Sequence, residues 1–212
     1  ASGGYEHEPN SPSLRDRLYL NDGYGHFSRS PAEQIPDLRF PSSSVSAADF
    51  DRDGDLDLFV GTRFRAHQWP LAASSRILRN DNGTLVDASS EIAKPLRDIG
   101  LVTSSIWSDI DEDGWTDLLV TLEWGPVKVL KNQKGIFVDA TEASGLANES
   151  GWWNSITGGD LDNDGDIDFV AMNFGLNTKY HGSKQHPAAL YAGDFDNNGS
   201  LDLVESEYEG DI

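Results

Sequence analysis

One nine-residue pattern, acidic at alternate positions with glycine in sixth place, occurs four times in this 212-residue chain. The copies are Asp49-Phe-Asp-Arg-Asp-Gly-Asp-Leu-Asp57, Asp109-Ile-Asp-Glu-Asp-Gly-Trp-Thr-Asp117, Asp160-Leu-Asp-Asn-Asp-Gly-Asp-Ile-Asp168 and Asp194-Phe-Asp-Asn-Asn-Gly-Ser-Leu-Asp202. Self-similarity of this kind makes each repeat one supersecondary unit, which buries its apolar face only against its neighbours. The copies start 60, 51 and 34 residues apart. Each is followed by a short apolar run: Leu58 to Val60, Leu118 to Val120, Phe169 to Ala171, then Leu203 and Val204. Runs so short and so rich in Val, Leu and Phe read as buried strands.

A second repeat lies between the loops, at Leu18 to Phe27, Ile77 to Leu85 and Val129 to Phe137. In each, two apolar stretches flank an Asn/Asp/Gly turn, which signals a hairpin. One unit is therefore strand, acidic loop, strand, hairpin, or about four strands per roughly 50 residues, the size of a propeller blade. The chain is expected to be all-β: a β-propeller, or a segment of one, of about four blades built from four-stranded antiparallel sheets with DxDxDGxxD loops. Helix is scarce. Asp87 to Arg97 is the best candidate, and Pro95 limits it to a turn or two. Residues 1–13 read as a loose N-terminal segment, 14–212 as the repeat domain, and the Ser/Pro-rich stretch Ser28 to Ser46 as a long connection. The opening hairpin lacks an acidic loop before it, and the last loop and strand lack a hairpin after them. These pieces either combine into a fourth blade or belong to a larger ring, and the 34-residue spacing favours the larger ring.

Carboxylates at positions 1, 3 and 5 converge on one centre only if the chain folds back on itself, and without a counter-ion they repel one another. Glycine at position 6 permits the turn that brings round a backbone carbonyl at position 7, and Asp at position 9 completes an all-oxygen shell. Such a shell suits Ca2+ better than Mg2+ or zinc. The expected ligands are Asp49, Asp51, Asp53, Asp55 and Asp57; Asp109, Asp111, Asp113, Trp115 and Asp117; Asp160, Asp162, Asp164, Asp166 and Asp168; and Asp194, Asp196, Asn198, Ser200 and Asp202. Asp55, Trp115, Asp166 and Ser200 would give only their carbonyls. About three to four ions are expected, roughly one per loop, with the fourth weakest because Asn198 replaces a carboxylate. EF-hands share this opening, but Val60, Val120 and Ala171 stand where an EF-hand needs its twelfth-position Glu; only Glu205 fits.

Charge and composition then remove several function classes. Against 16 basic residues stand 36 acidic ones, and the net charge of -20 repels nucleic acid and anionic lipid. No nucleic acid partner is expected. Hydrophobic content of 37% with six Trp, nine Phe and six Tyr is too apolar for a disordered acidic chain. With no Cys there is no disulfide, thiolate zinc site or cysteine nucleophile. No apolar run approaches the roughly 18 residues of a membrane span, so no direct membrane insertion is expected, and the start shows no signal-peptide pattern.

The loops followed by Leu-Asp-Leu or a close variant, with the Asn-x-x-Gly-x-Phe hairpins, resemble FG-GAP/VCBS repeats, the blades of integrin α-subunit propellers and of many bacterial secreted proteins. Asn173 to Tyr180, running into Leu190 to Ser200, is similar to bacterial VCBS proteins that often carry an ASPIC/UnbV domain; no such domain is visible. The resemblance spans about Leu14 to Glu207. It implies a secreted, periplasmic or cell-surface module, calcium-stabilised, that presents loops to a protein or glycan ligand. The alternative is a secreted carbohydrate-active enzyme, lyase or hydrolase, with its site on loops such as Trp152 to Ser155 or Asn173 to His186. No catalytic residue is assigned, since no Gly-x-Ser-x-Gly, HExxH or Walker motif occurs. Trp152 and Trp153 read as packing rather than sugar-stacking residues. His181 and His186 read as inert loop histidines, and Lys179 and Lys184 as balance for nearby acids. A homo-oligomer would cover open sheet edges.

Overall fold

The computed structural model describes residues 7–175 and 178–208. Of the expected loose N-terminus, residues 1–6 lie outside the described residues, as do Leu176 and Asn177 of the Asn173–Tyr180 stretch and residues 209–212. Pro12–Leu14 makes a single 3-10 turn, and Leu14, where the expected repeat domain begins, is buried.

The fold is all-β. A short hairpin, β1 (Tyr19–Asn21) and β2 (Phe27–Arg29), stands as its own two-stranded sheet. Then come two complete four-stranded antiparallel sheets. The first is ordered β3 (Ser42–Ala48), β4 (Asp57–Thr62), β5 (Arg76–Asp81), β6 (Thr84–Asp87), and the second β7 (Leu101–Ser108), β8 (Asp117–Glu123), β9 (Lys128–Gln133), β10 (Ile136–Asp139). Among the described residues a third sheet holds β11 (Trp153–Gly159) and β12 (Asp168–Asn173). Between the first two sheets lie α1 (Ser89–Ile92) and a 3-10 turn at Lys94–Leu96 that contains Pro95. The helix is as short as Pro95 requires.

Each acidic loop joins the first two strands of its sheet, as the spacing implied. The sheets differ beyond their second strand. After β4 and β8 the chain has room for an outer hairpin; after β12 only residues 174–188 precede the next strand, and none of those described pairs with β12. Among the described residues the expected four-stranded blade is thus realised twice, and its inner pair alone twice more.

Burial explains why the post-loop runs are apolar on both faces. Every residue of β8 is buried. Its Leu118, Val120 and Leu122 enter a core shared with Phe50, Phe59, Ile77 and Val102, whereas Leu119 enters a second core with Val129 and Ile156. The period of two in a strand sends alternate side chains into the two inter-sheet layers, so the run Leu118–Val120 is apolar on both faces, and the strand's buried polar residues Asp117, Thr121 and Glu123 are each paired. Small residues let the first two sheets approach closely. Ser43 Oγ donates to Val102 O at 2.7 Å, Ser44 and Ser46 share a hydroxyl contact with Ser105, and a Cβ on Gly61 would meet Val102 Cγ1 at 2.5 Å. This face-on stacking of successive antiparallel sheets is a propeller segment.

The chain divides into two compact units, one through Asn173 and one from Phe174. In the second, β13 (Ala189–Gly193) pairs with β14 (Asp202–Ser206) across the fourth acidic loop, from Gly193↔Asp202 to Ala189↔Ser206.

Candidate metal centres

All four loops fold by one hydrogen-bond template. The position-1 carboxylate accepts the backbone N–H groups of positions 5 and 6: Asp49 from Asp53 and Gly54 at 3.1 Å each, Asp109 from Asp113 at 3.1 Å and Gly114 at 2.8 Å. Asp160 does the same with Asp164 and Gly165 at 3.2 Å each, and Asp194 with Asn198 at 3.0 Å and Gly199 at 2.9 Å. The position-5 side chain then accepts the position-7 N–H, in Asp53 to Asp55, Asp113 to Trp115, Asp164 to Asp166 and Asn198 to Ser200. Position 6 sits at φ 95, 83, 102 and 84 in Gly54, Gly114, Gly165 and Gly199, the left-handed region where a Cβ is penalised. Position 4 is left-handed as well, in Arg52, Glu112, Asn163 and Asn197. Only the two asparagines hinted at that, since Asn tolerates this region better than Arg or Glu.

This folding gathers the carboxylates. Asp49, Asp51 and Asp53 each bring an oxygen within 4.8 Å of the others; so do Asp109, Asp111 and Asp117, Asp160, Asp162 and Asp168, and Asp194, Asp196 and Asp202. Positions 1 and 3 belong to every cluster. Position 5 joins in the first loop and position 9 in the other three. One oxygen of Asp51, Oδ1, is buried with no hydrogen-bond partner among the described residues. A buried acceptor beside two further carboxylates is costly unless a cation satisfies it. The donor set is all oxygen and anionic, and it fits a hard divalent ion.

Position 9 has a structural task that the spacing did not disclose. Its Oδ2 accepts the position-2 N–H in every loop: Phe50 to Asp57 at 3.1 Å, Ile110 to Asp117 at 3.1 Å, Leu161 to Asp168 at 3.0 Å and Phe195 to Asp202 at 2.9 Å. In the two complete sheets Oδ1 also accepts an N–H from the outer hairpin, Asn80 to Asp57 at 2.8 Å and Asn132 to Asp117 at 2.6 Å. That asparagine answers with its side chain. Asn80 Nδ2 donates to Leu56 O, and the fully buried Asn132 donates to Thr116 O and to Phe50 O of the neighbouring sheet. The position-9 Asp is therefore a latch between acidic loop and hairpin. The recurring turn asparagine was the available signal, legible only as a turn former.

Electrostatics follow from burial. Asp57 and Asp117 have no exposed surface, and desolvation raises both carboxyl groups, Asp57 to about 6. Asp51 is raised too, by burial first and by the Asp53 charge second. In the second loop Lys131 lies against Asp111, with Asp113 at 3.7 Å. Asp55 accepts the Asn82 N–H with its side chain.

The other singled-out residues are mostly engaged in packing. Trp153 donates its indole N–H to Glu149 O and packs on the Leu119/Val129/Ile156 core, and Trp152 lies tilted against Trp124 at 5.6 Å. His186 stacks on Tyr208 at 4.5 Å, and His181 is exposed. Lys179 is paired with Glu205, so the one Glu at an EF-hand-like twelfth position is turned to an ion pair.

The repeated blade pattern and its loops define a propeller-type repeat protein. The FG-GAP-like repeat family matches residues 10–60 and 109–171, just over half of the chain, and includes the first three acidic loops. The chain belongs to the FG-GAP repeat family. No curated protein matches it.

Proposed function

We propose that this chain is a calcium-stabilised extracellular module that presents its loops to a protein or glycan ligand. The observation that carries the calcium part is the fourfold gathering of carboxylate oxygens within 4.8 Å on one shared loop template, together with the orphaned Asp51 Oδ1. Positions 1, 3, 5 and 9 of each loop would hold the ion through side chains, and Asp55, Trp115, Asp166 and Ser200 through their carbonyls. A bound divalent ion neutralises the convergent charge and cross-links a loop to its strand.

Half of the acidic residues, 18 of 36, lie in these loops, so the ion acts on stability first. Binding only to the folded state adds about 2.7 kcal/mol per site at a hundredfold excess over Kd. Affinities on the order of 10⁻⁴ to 10⁻³ M, common in extracellular modules, fit a calcium-rich compartment. Family membership favours a secreted, periplasmic or cell-surface location, and no helix among the described residues is long and apolar enough to cross a membrane. Residues 14–212 are read as one repeat domain.

The ligand-binding part rests on family membership. The enzyme alternative gains nothing from Trp152, Trp153 or His186, whose rings are engaged in packing.

The test is thermal unfolding at millimolar calcium and again in excess EGTA, with calcium stoichiometry on the folded chain. A midpoint lower by about 10 °C or more in EGTA is expected, since each kcal/mol moves a chain of this size by about 2–4 °C. Equal midpoints with no bound ion would overturn the calcium reading. Calcium-dependent retention on a glycan or protein array would then identify the ligand class.

A further inference from the structure

The four loops share one template but not one electrostatic setting. In the first complete sheet, Arg79 stands just before the latch asparagine Asn80, and its guanidinium is held by Asp81 of its own strand at 2.7 Å. In the second, Lys131 stands just before Asn132, and the place of Asp81 is taken by Gln133. Gln133 offers no charge to hold the ammonium. Lys131 instead crosses to the acidic loop and pairs with Asp111 and Asp113, both expected calcium ligands.

A second cation flanks the same loop. The Arg52 guanidinium lies 4.7 Å over the Trp115 ring, and a Cβ on Gly114 would collide with Arg52 Nη2. Among the described residues, the third and fourth loops have no outer hairpin behind them to supply a cation in the place of Lys131.

We propose that Lys131 is a tethered counter-cation of the second loop, which calcium must displace from Asp111 and Asp113, so that this loop binds calcium more weakly than the third. The proposal rests on the calcium reading above and adds an order of filling to it. An ammonium within a few ångströms of two ligand carboxylates opposes an incoming divalent ion, and at a partly exposed site with physiological salt that opposition is worth about tenfold in affinity. It also partly neutralises the loop when calcium is scarce, which makes the second sheet the least calcium-dependent part of the chain.

Trp115 occupies position 7 of this loop and of no other, but Arg52 of the first loop lies over its ring, so the titrations are made in a D49N/D51N background that disables the first loop and leaves the indole reporting on the second. Terbium, an oxygen-seeking ion of calcium's size, is titrated into the whole chain with excitation in the indole band, and the W115F variant identifies the emission that belongs to this loop. In K131Q the half-saturating terbium concentration is expected to fall about tenfold, with calcium displacing it at correspondingly lower concentration. K131R keeps the charge and should stay near the wild-type value. As a second variant, Q133D recreates the Arg79–Asp81 arrangement, drawing Lys131 back to its own strand, and should also lower the half-saturation.

Unchanged half-saturation in both K131Q and Q133D overturns the proposal. So does an absence of Trp115-dependent emission in the wild type and both variants, and calorimetric calcium binding in that case leaves the calcium reading standing for the other loops. If calorimetry detects no calcium in any form of the chain, the calcium reading itself is overturned.

Discussion

Asp57 and Asp168 occupy the same place in their repeats, yet they carry different numbers of bonds. Asp57 accepts N–H groups from both its loop and the outer hairpin, at 3.1 and 2.8 Å, whereas among the described residues Asp168 accepts only from its loop. Replacing Asp57 by Asn puts an NH2 where an acceptor is needed, whereas Asn at position 168 can turn its carbonyl oxygen to the one N–H it must accept. D57N leaves a buried donor facing a donor and is expected to cost about 1–3 kcal/mol, with D168N costing less. Denaturant unfolding in EGTA, which removes any contribution of the ion, measures the difference. Equal losses would show that the hairpin latch contributes nothing.

Buried Asp57 and its counterpart Asp117 set a pH dependence. Burial raises the Asp57 carboxyl to about 6 and raises Asp117, so the folded chain holds these protons more tightly than the unfolded chain. Their stabilising contribution is present below the unfolded value near 4 and is lost as pH rises through about 6. Without calcium, the chain should therefore become more stable between pH 7 and pH 5. With calcium the direction reverses, because protons compete with the ion for the same oxygens. Thermal midpoints at both pH values, with calcium and with EGTA, check the two signs.

Among the elements, the strands after the loops show how context changes equal sequences. Leu118 of β8 is fully buried between sheets, but Val170 of β12 is 46% exposed and Met172 61%. L118A is expected to cost about 2–5 kcal/mol, and V170A under about 1 kcal/mol, in chemical denaturation. The strands themselves were readable from their apolar runs, and the hairpins from their Asn/Asp/Gly turns. Their differing burial was not, because Leu-Leu-Val and Phe-Val-Ala look alike until neighbouring sheets cover one and leave the other half open. The burial of Leu14 was hidden for a related reason: a lone leucine in a Ser/Pro-rich stretch carries no period.

For the molecule as a whole, the sequence by itself determined the repeat, the all-β architecture and the four acidic loops, because each depends on local chemistry. Alternate aspartates with a glycine sixth leave the backbone few ways to turn, and a short apolar run after them must be covered. Only the tertiary structure decided which blades are completed, which carboxylates latch a hairpin, and which loop receives a lysine. Those outcomes join groups far apart in the chain, such as Asn132 with Phe50 and Lys131 with Asp111, and such pairings are set by how sheets stack, not by spacing along the chain.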